Sequence, residues 1–191
     1  MELSQSVKVW DPLIRLFHWS LVISFLIAYI SAEEFMPVHT WAGYIIAGLI
    51  FIRVIWGFVG TEFAQFRSFI YRPTKILAYI KDITLHRARR YLGHNPAGGA
   101  MVLTLILSLS LTVISGLFFY GIEEFGGPLA SIVHNWPIWL GDAFEEVHEF
   151  SANLTVFLIA LHLIGVLLSS IQHKENLVKA MINGRKEVLG Q

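Results

Sequence analysis

Four long runs of apolar residues follow one another along the chain, separated by shorter stretches in which the charged residues collect. A run of about 20 apolar residues is long enough to cross the hydrocarbon core of a bilayer as an α-helix. The first run contains Arg15 as its only charged residue and the second contains only Arg53, whereas a soluble helix would need a polar face. The pattern therefore predicts an all-α membrane protein, a bundle of four transmembrane helices at about residues 13–32, 38–59, 100–122 and 148–171.

The composition narrows the class of protein further. Of the 191 residues, 55% are apolar and 15% are charged, which excludes a disordered chain and an ordinary soluble domain. Cysteine is absent, so disulfides, thiolate metal sites, iron–sulfur clusters and covalently attached haem are excluded. Positive and negative charges balance, so the net charge does not indicate a partner. For a membrane-embedded chain we expect no nucleic-acid partner.

Lysine and arginine are distributed unevenly between the connections. Seven lie between the second and third apolar runs and four follow the last run, whereas segments 33–37 and 123–149 contain acidic residues but no lysine or arginine. Cytoplasmic loops carry the excess of positive charge. We therefore expect a single multi-pass domain, residues 1–191, in the bacterial inner membrane, with both termini and the 60–99 connection in the cytoplasm and the 123–147 loop outside.

The cytoplasmic connection is expected to contain one surface helix at about residues 73–86. Pro73 can open this helix, and its apolar residues share one face that can lie on the membrane: Ile76, Leu77, Ile80 and Ile83. The first transmembrane helix is expected to be retained, because its apolar run exceeds a typical signal-peptide core and no clear cleavage site follows it.

Four histidines lie inside or at the ends of the predicted membrane helices, where an ionisable group needs a specific reason. His18 lies fourteen residues from the external end of the first helix, and His162 lies fourteen residues after His148, which is roughly 21 Å along a helix. His18 and His162 are therefore predicted at one depth, and His39 and His148 at a second depth nearer the outside. Because fourteen residues at about 100° each return to nearly the same direction, His148 and His162 also share one face of their helix.

Two level histidine pairs on facing helices match the needs of two b-type haems, each of which takes an axial nitrogen from either side. Arg15 and Arg53 are predicted to pair with propionates of the inner haem. With both axial positions filled, each haem would carry electrons rather than bind oxygen. Slim residues, which leave room for the flat macrocycle, follow three of the histidines by three or four positions: Gly43, Ala152 and Gly165.

The motifs that surround these histidines are Trp10-Asp11-Pro12, Arg15-x-x-His18-Trp19, His39-x3-Gly43-x9-Arg53 and His148-Glu149-x10-Ala160-Leu161-His162. Together they resemble the bacterial cytochrome b561 and nickel–iron hydrogenase b-type cytochrome family over nearly the whole chain. The resemblance implies a four-helix membrane cytochrome with two b haems, ligated by His18 with His162 and by His39 with His148. Members of this family exchange electrons between the quinone pool and a redox partner, often a periplasmic c-type cytochrome or a hydrogenase. Segment 93–99, together with the C-terminal segment 173–177, is similar to a subgroup associated with c-type cytochromes rather than hydrogenase.

The sequence leaves several functions open. The main prediction is transmembrane electron transfer between quinone and an external c-type cytochrome, with His94 and Asn95 as candidate quinone residues, although a solvated His94 is the default. The alternative is the membrane anchor and electron-relay subunit of a hydrogenase or dehydrogenase. A histidine-lined proton or metal transporter without haem is disfavoured, because transporter cores usually add carboxylates within the membrane. The chain is thus an electron carrier, alone or as part of a quinol:cytochrome c or hydrogenase:quinone oxidoreductase, and its oligomeric state is open, with a homodimer as one option.

Overall fold

The computed structural model describes residues 5–188, so residues 1–4 and 189–191 of the predicted domain lie outside the described residues. Four helices of the described chain are long and apolar enough to cross a membrane, which confirms the predicted all-α membrane fold. In chain order the elements are β1 (Gln5–Lys8), α1 (Pro12–Ser31), α2 (Met36–Val59), α3 (Pro73–Thr84), α4 (Pro96–Glu123), α5 (Ala130–Val133), α6 (Ile138–Gln172), α7 (Leu177–Asn183) and β2 (Arg185–Val188), with two short 3-10 helices, Glu62–Ala64 and Phe66–Ser68, between α2 and α3.

Helix α6 is longer than the apolar run that predicted it. It begins at Ile138, directly after Pro137, whereas the run predicted a start near residue 148. The additional turns contain acidic residues such as Glu145, which is exposed. Hydropathy reports the thickness of the apolar core of the bilayer, so it does not report where a helix ends beyond that core. Helix α5 and the start of α6 therefore occupy much of the segment that was expected to be a loop.

The two ends of the described chain pair as a short antiparallel ribbon. Strand β1 pairs with β2, and Val7 lies opposite Lys186. Helix α7, which precedes β2, is capped at its start by the side chain of Asn176 and ends at Gly184, whose φ of 81° favours glycine. The Gly184 carbonyl accepts hydrogen bonds from the backbone N–H groups of Val9 and Trp10, which join the chain ends next to the start of α1.

The described chain divides into two compact units, and each of the four long helices contributes to both. The first unit contains the described residues up to Ile23, Phe51–Leu103 and those from Leu161 onward. The second unit contains Ser24–Ile50 and Thr104–Ala160. His18 and His162 belong to the first unit, and His39 and His148 to the second.

In the second unit, α4 and α6 are joined by hydroxyl groups. Ser108 Oγ lies 2.8 Å from Thr155 Oγ1, and Thr112 Oγ1 donates a hydrogen bond to Ser151 Oγ at 2.8 Å. Ser151 and Thr155 are both fully buried. Small side chains of this kind allow membrane helices to approach closely, and their hydrogen bonds fix the register of the two helices. The register places the Thr112 carbonyl against a histidine of α6, as described below.

In the first unit, a buried aspartate holds the start of α1. Asp11 Oδ1 accepts a hydrogen bond from the backbone N–H of Ile14 at 2.9 Å, so Asp11 acts as an N-cap with Pro12 at the first helical position. Asp11 Oδ2 accepts from Trp56 Nε1 at 3.1 Å and from Thr61 Oγ1 at 2.6 Å. The motif that begins at Trp10 therefore ties α1 to the end of α2.

Replacing this carboxylate should destabilise the protein in a pH-dependent way. Burial alone would raise the pKa of Asp11, but the hydrogen bonds from Thr61, Ile14 and Trp56 outweigh it and lower the pKa below 3.8. Because the folded-state pKa is lowered, this stabilisation is complete above the unfolded value and is lost as the pH falls through the folded value. Asp11→Asn should cost about 1–3 kcal/mol at pH 7.

Thermal unfolding in detergent, followed by circular dichroism, measures this difference. We expect the gap between wild type and Asp11→Asn to shrink as the pH is lowered below about 4. Asp82→Asn is the matched control, because Asp82 makes an exposed ion pair with Arg87 and should contribute little. A gap that is equally large at low pH would contradict the role given to the ionised carboxylate.

Candidate functional site

Each unit contains two histidine rings that face each other across a gap. In the first unit the ring centroids of His18 and His162 are 6.5 Å apart, with 54° between the ring planes. In the second unit the centroids of His39 and His148 are 5.8 Å apart, with 75° between the planes. We call these the first and the second histidine pair. They are the two pairs that the depth argument brought together.

The separation of the rings is suited to a metal ion between them. A metal–nitrogen bond of about 2 Å on each side, with each ring centre roughly 1 Å beyond its nitrogen, gives about 6 Å between centroids. A direct hydrogen bond between two ring nitrogens would bring the centroids to about 5 Å or less. Both measured separations are therefore closer to the distance expected when the rings share one metal ion.

The second pair is oriented by the backbone. Nδ1 of His39 lies 2.8 Å from the Ala28 carbonyl oxygen, and Nδ1 of His148 lies 2.8 Å from the Thr112 carbonyl oxygen. A carbonyl oxygen can only accept, so each Nδ1 carries the hydrogen and donates it. The hydrogen-free nitrogen of each neutral ring is then Nε2, the one available to a metal. Metal-binding histidines characteristically have a carbonyl or carboxylate acceptor on the other nitrogen.

A glycine of α4 makes room for the second pair. A Cβ atom at Gly116 would lie 2.7 Å from His148 Nδ1, too close for any real contact. Gly116 therefore lets the imidazole approach the backbone of α4 and reach the Thr112 carbonyl. Sequence reasoning missed this residue, although a glycine within a long apolar helix indicates a close approach.

The unit that contains the first pair also contains buried nitrogen atoms without a hydrogen-bond partner in the described chain. Within residues 5–188, His18 Nδ1, Arg53 Nη1 and Arg15 Nε are buried and have no hydrogen-bond partner. The Arg53 side chain is only 3% exposed, and its guanidinium lies 5.0 Å from the ring centre of Phe66. Arg15 is partly engaged, since its Nη1 donates to the Ile182 carbonyl. A buried donor without an acceptor is costly, so these groups fit a bound ligand that carries acceptor atoms.

Open space adjoins two of the slim residues predicted to border the ligand. A Cβ atom placed on Gly43 or Gly165 would meet nothing within 4 Å in the described part of the chain. Ala152 is half-buried, one turn after His148 on α6. Room of this kind beside histidines is what a flat macrocycle needs.

A bare metal ion fits this arrangement poorly. No group of three or more His, Cys, Asp or Glu side chains among the described residues is placed to hold a metal. Each histidine pair offers only two ligands, so the remaining ligands of a bound metal must come from a cofactor, as the macrocycle nitrogens of haem do. The residues present therefore fit haem, and they disfavour the histidine-lined metal transporter.

The two candidate quinone residues have different surroundings. Asn95 Oδ1 accepts a hydrogen bond from the backbone N–H of Gly98 at 2.7 Å, so this oxygen caps the start of α4. His94 is half-buried rather than fully solvated: its Nδ1 is buried, and its ring lies between Trp10 and Phe69, with centroid distances of 4.7 and 4.8 Å. The burial of His94, together with the positive charge of Arg53, lowers its pKa to about 3, so the ring is neutral at physiological pH.

Four membrane-length helices that carry two facing histidine pairs define a membrane cytochrome of the b type. The sequence profile of the prokaryotic cytochrome b561 family matches residues 9–184, and the chain belongs to this family.

Several relatives match nearly the whole chain at low identity. The chain is similar to proteins named as probable Ni/Fe-hydrogenase B-type cytochrome subunits in three bacteria. It is 21% identical to that of Rhodobacter capsulatus over 95% of this chain and 81% of the relative. It is 23% identical to that of Bradyrhizobium diazoefficiens over 95% of this chain and 86% of the relative. It is 24% identical to that of Azotobacter chroococcum mcd 1 over 94% of this chain and 88% of the relative.

Adding a methyl group at Gly116 should disrupt the second histidine pair. In Gly116→Ala the new Cβ pushes His148 away from the Thr112 carbonyl, so we expect a loss of up to half of the bound haem, or a changed spectrum of that half. Haem per chain after purification is the measurement. Gly48→Ala is the matched control, because a Cβ there meets nothing within 4 Å in the described structure. Wild-type haem content and spectrum in Gly116→Ala would contradict the role given to Gly116.

Proposed function

We propose that this chain is a dihaem b-type cytochrome that relays electrons across the bacterial inner membrane as the membrane subunit of a hydrogenase complex. The observation that carries the proposal is the presence of two facing histidine pairs, with ring centroids 6.5 and 5.8 Å apart. The names of the relatives support a hydrogenase as partner. They favour this alternative over the c-type cytochrome partner that the sequence placed first.

Each of the two compact units would hold one haem through its histidine pair. His18 and His162 would hold the inner haem, with Arg53 and Arg15 directed to its propionates. His39 and His148 would hold the outer haem. Haem b, when bound, supplies an iron ion that takes up and releases one electron. If the two histidines of a pair both bound the iron, no position would stay open for oxygen or substrate.

The protein's own groups prepare these sites for electron transfer. The Ala28 and Thr112 carbonyls fix the tautomer and orientation of His39 and His148, so little rearrangement accompanies a change of charge between the rings. Arg53 places a buried positive charge in the first unit, where it can offset the negative charge of a carboxylate.

The proposed reaction is the oxidation of hydrogen coupled to the reduction of a quinone. An external hydrogenase would oxidise H₂ to two protons and two electrons, and the chain would pass the electrons one at a time to a quinone in the membrane. The quinone takes up two electrons and two protons to become quinol. The charge distribution supports the sidedness, because segment 123–149 contains no lysine or arginine and segment 60–99 contains seven.

A periplasmic c-type cytochrome is the second candidate partner. The acidic residues of segment 123–149 favour a basic partner at the external surface: Glu123, Glu124, Asp142, Glu145, Glu146 and Glu149. Electron transfer to a basic cytochrome should slow as the ionic strength rises, because salt screens charges at the surface. Copurification of hydrogenase subunits with the tagged chain, from the membranes of its own host, would support the first partner and argue against the second.

The haem assignment predicts a specific stoichiometry. Purified protein should contain two haems b per chain, measured as pyridine haemochrome. His162→Ala and His148→Ala should each lose about half of the haem absorbance, because each removes one axial ligand of a different haem. His134→Ala is the control, since His134 is exposed and belongs to neither pair. A colourless protein that takes up no haem would refute the proposal.

A further inference from the structure

His94 occupies a rigid aromatic slot in the first unit. Its ring is flanked by Trp10 and Phe69, which are 7% and 1% exposed. The backbone of Phe69 packs directly against Gly99, where a Cβ atom would collide with the Phe69 carbonyl oxygen. Packing alone would be served equally well by an apolar side chain. An imidazole at this position therefore indicates that its nitrogen atoms make a polar interaction.

One of these polar atoms has nothing to bind within the described chain. Nδ1 of His94 is buried and has no hydrogen-bond partner there, and the same holds for Nη1 of Arg53. The two residues lie against the same side chain: the Arg53 guanidinium is 5.9 Å and the His94 ring centroid 4.8 Å from the centre of the Phe69 ring. An arginine beside an unpaired imidazole nitrogen makes a site for a group that accepts hydrogen bonds and carries negative charge.

The acidic side chain that acts on Arg53 is already engaged. Asp11 interacts electrostatically with Arg53, but its Oδ1 accepts from Ile14 and its Oδ2 accepts from Trp56 and Thr61. Asp11 therefore does not supply the acceptor for Arg53 Nη1 or His94 Nδ1, and a bound ligand with acceptor atoms would fit beside them. His94 and Arg53 belong to the same compact unit as His18 and His162. A haem held at that pair would bring two carboxylates into this unit as acceptors.

We propose that His94 is a haem-binding residue that donates a hydrogen bond from Nδ1 to a propionate of the inner haem, beside Arg53. This inference rests on the proposed function. It assigns the neutral His94 to the haem rather than to quinone protonation, and it makes His94, Arg53 and the carboxylate one buried cluster. Because the cluster offsets negative charge next to the iron, its loss should favour the ferric state and lower the midpoint potential of the inner haem.

The test is a redox titration of three variants of the purified protein. His94→Phe keeps an aromatic ring between Trp10 and Phe69 but removes the hydrogen-bond donor. We expect the equilibrium constant for reduction of one haem to fall about tenfold, which lowers its midpoint potential by about 59 mV for one electron. His94→Gln keeps an N–H donor, and its potential should stay near the wild-type value. His134→Phe is the control in the second unit and should change neither haem.

Two further measurements identify which haem His94 affects and whether His94 contacts its propionate. The haem whose potential shifts should be the one that is lost in His162→Ala. The propionate bending band in the resonance Raman spectrum should move in His94→Phe and stay in place in His94→Gln. Loss of the inner haem in His94→Phe alone, with His94→Gln unaffected, would also support the proposal, because only the donor distinguishes the two variants.

Other outcomes would overturn the proposal and leave the proposed function intact. Two haems per chain with unchanged potentials in His94→Phe would show that His94 does not bind a propionate. Unchanged potentials together with slower reduction by a quinol would place His94 at a quinone site instead. Equal shifts, or equal loss of haem, in His94→Phe and His94→Gln would show that packing and not the donor is responsible. A wild-type protein without haem, in contrast, would refute the proposed function itself.

Discussion

A hydrogen-bond donor buried in an apolar interior costs free energy until an acceptor meets it, and most features of this chain follow from that constraint. In the second unit the histidine pair donates to two backbone carbonyls, and both rings are thereby oriented. In the first unit donors on His18, Arg53 and His94 have no partner among residues 5–188. The first unit would therefore suit a ligand that carries negative charge, whereas the donors of the second pair are already satisfied within the chain.

The sequence could predict the features that the bilayer dictates. Membrane thickness sets a minimum helix length and disfavours charge within it, so the four long helices were visible as apolar runs. A constant rise per residue turns sequence distance into depth, which paired His18 with His162 and His39 with His148 before any contact was known. The structure places the rings of both pairs opposite each other. The family assignment agrees with the resemblance carried by the same motifs.

Features that depend on contacts between distant segments could not be predicted. Gly116 accommodates His148 from a different helix, and no local pattern indicates which ring it faces. The pairing of β1 with β2 joins the two ends of the described chain through strands too short to show a period. His94 was expected in solvent because its neighbours in sequence form a turn, but Trp10 and Phe69 enclose it from elsewhere in the chain.

The different surroundings of the two pairs give the proposed relay a direction. Carbonyls that accept from Nδ1 make His39 and His148 stronger electron donors to a metal, which stabilises the ferric state and lowers the potential. The buried charge of Arg53 in the first unit opposes the ferric state and raises the potential there. In the proposed relay, electrons would therefore run downhill from a haem at the second pair to a haem at the first. On the proposed sidedness this is inward, as an external hydrogen-oxidising partner and a quinone acceptor require.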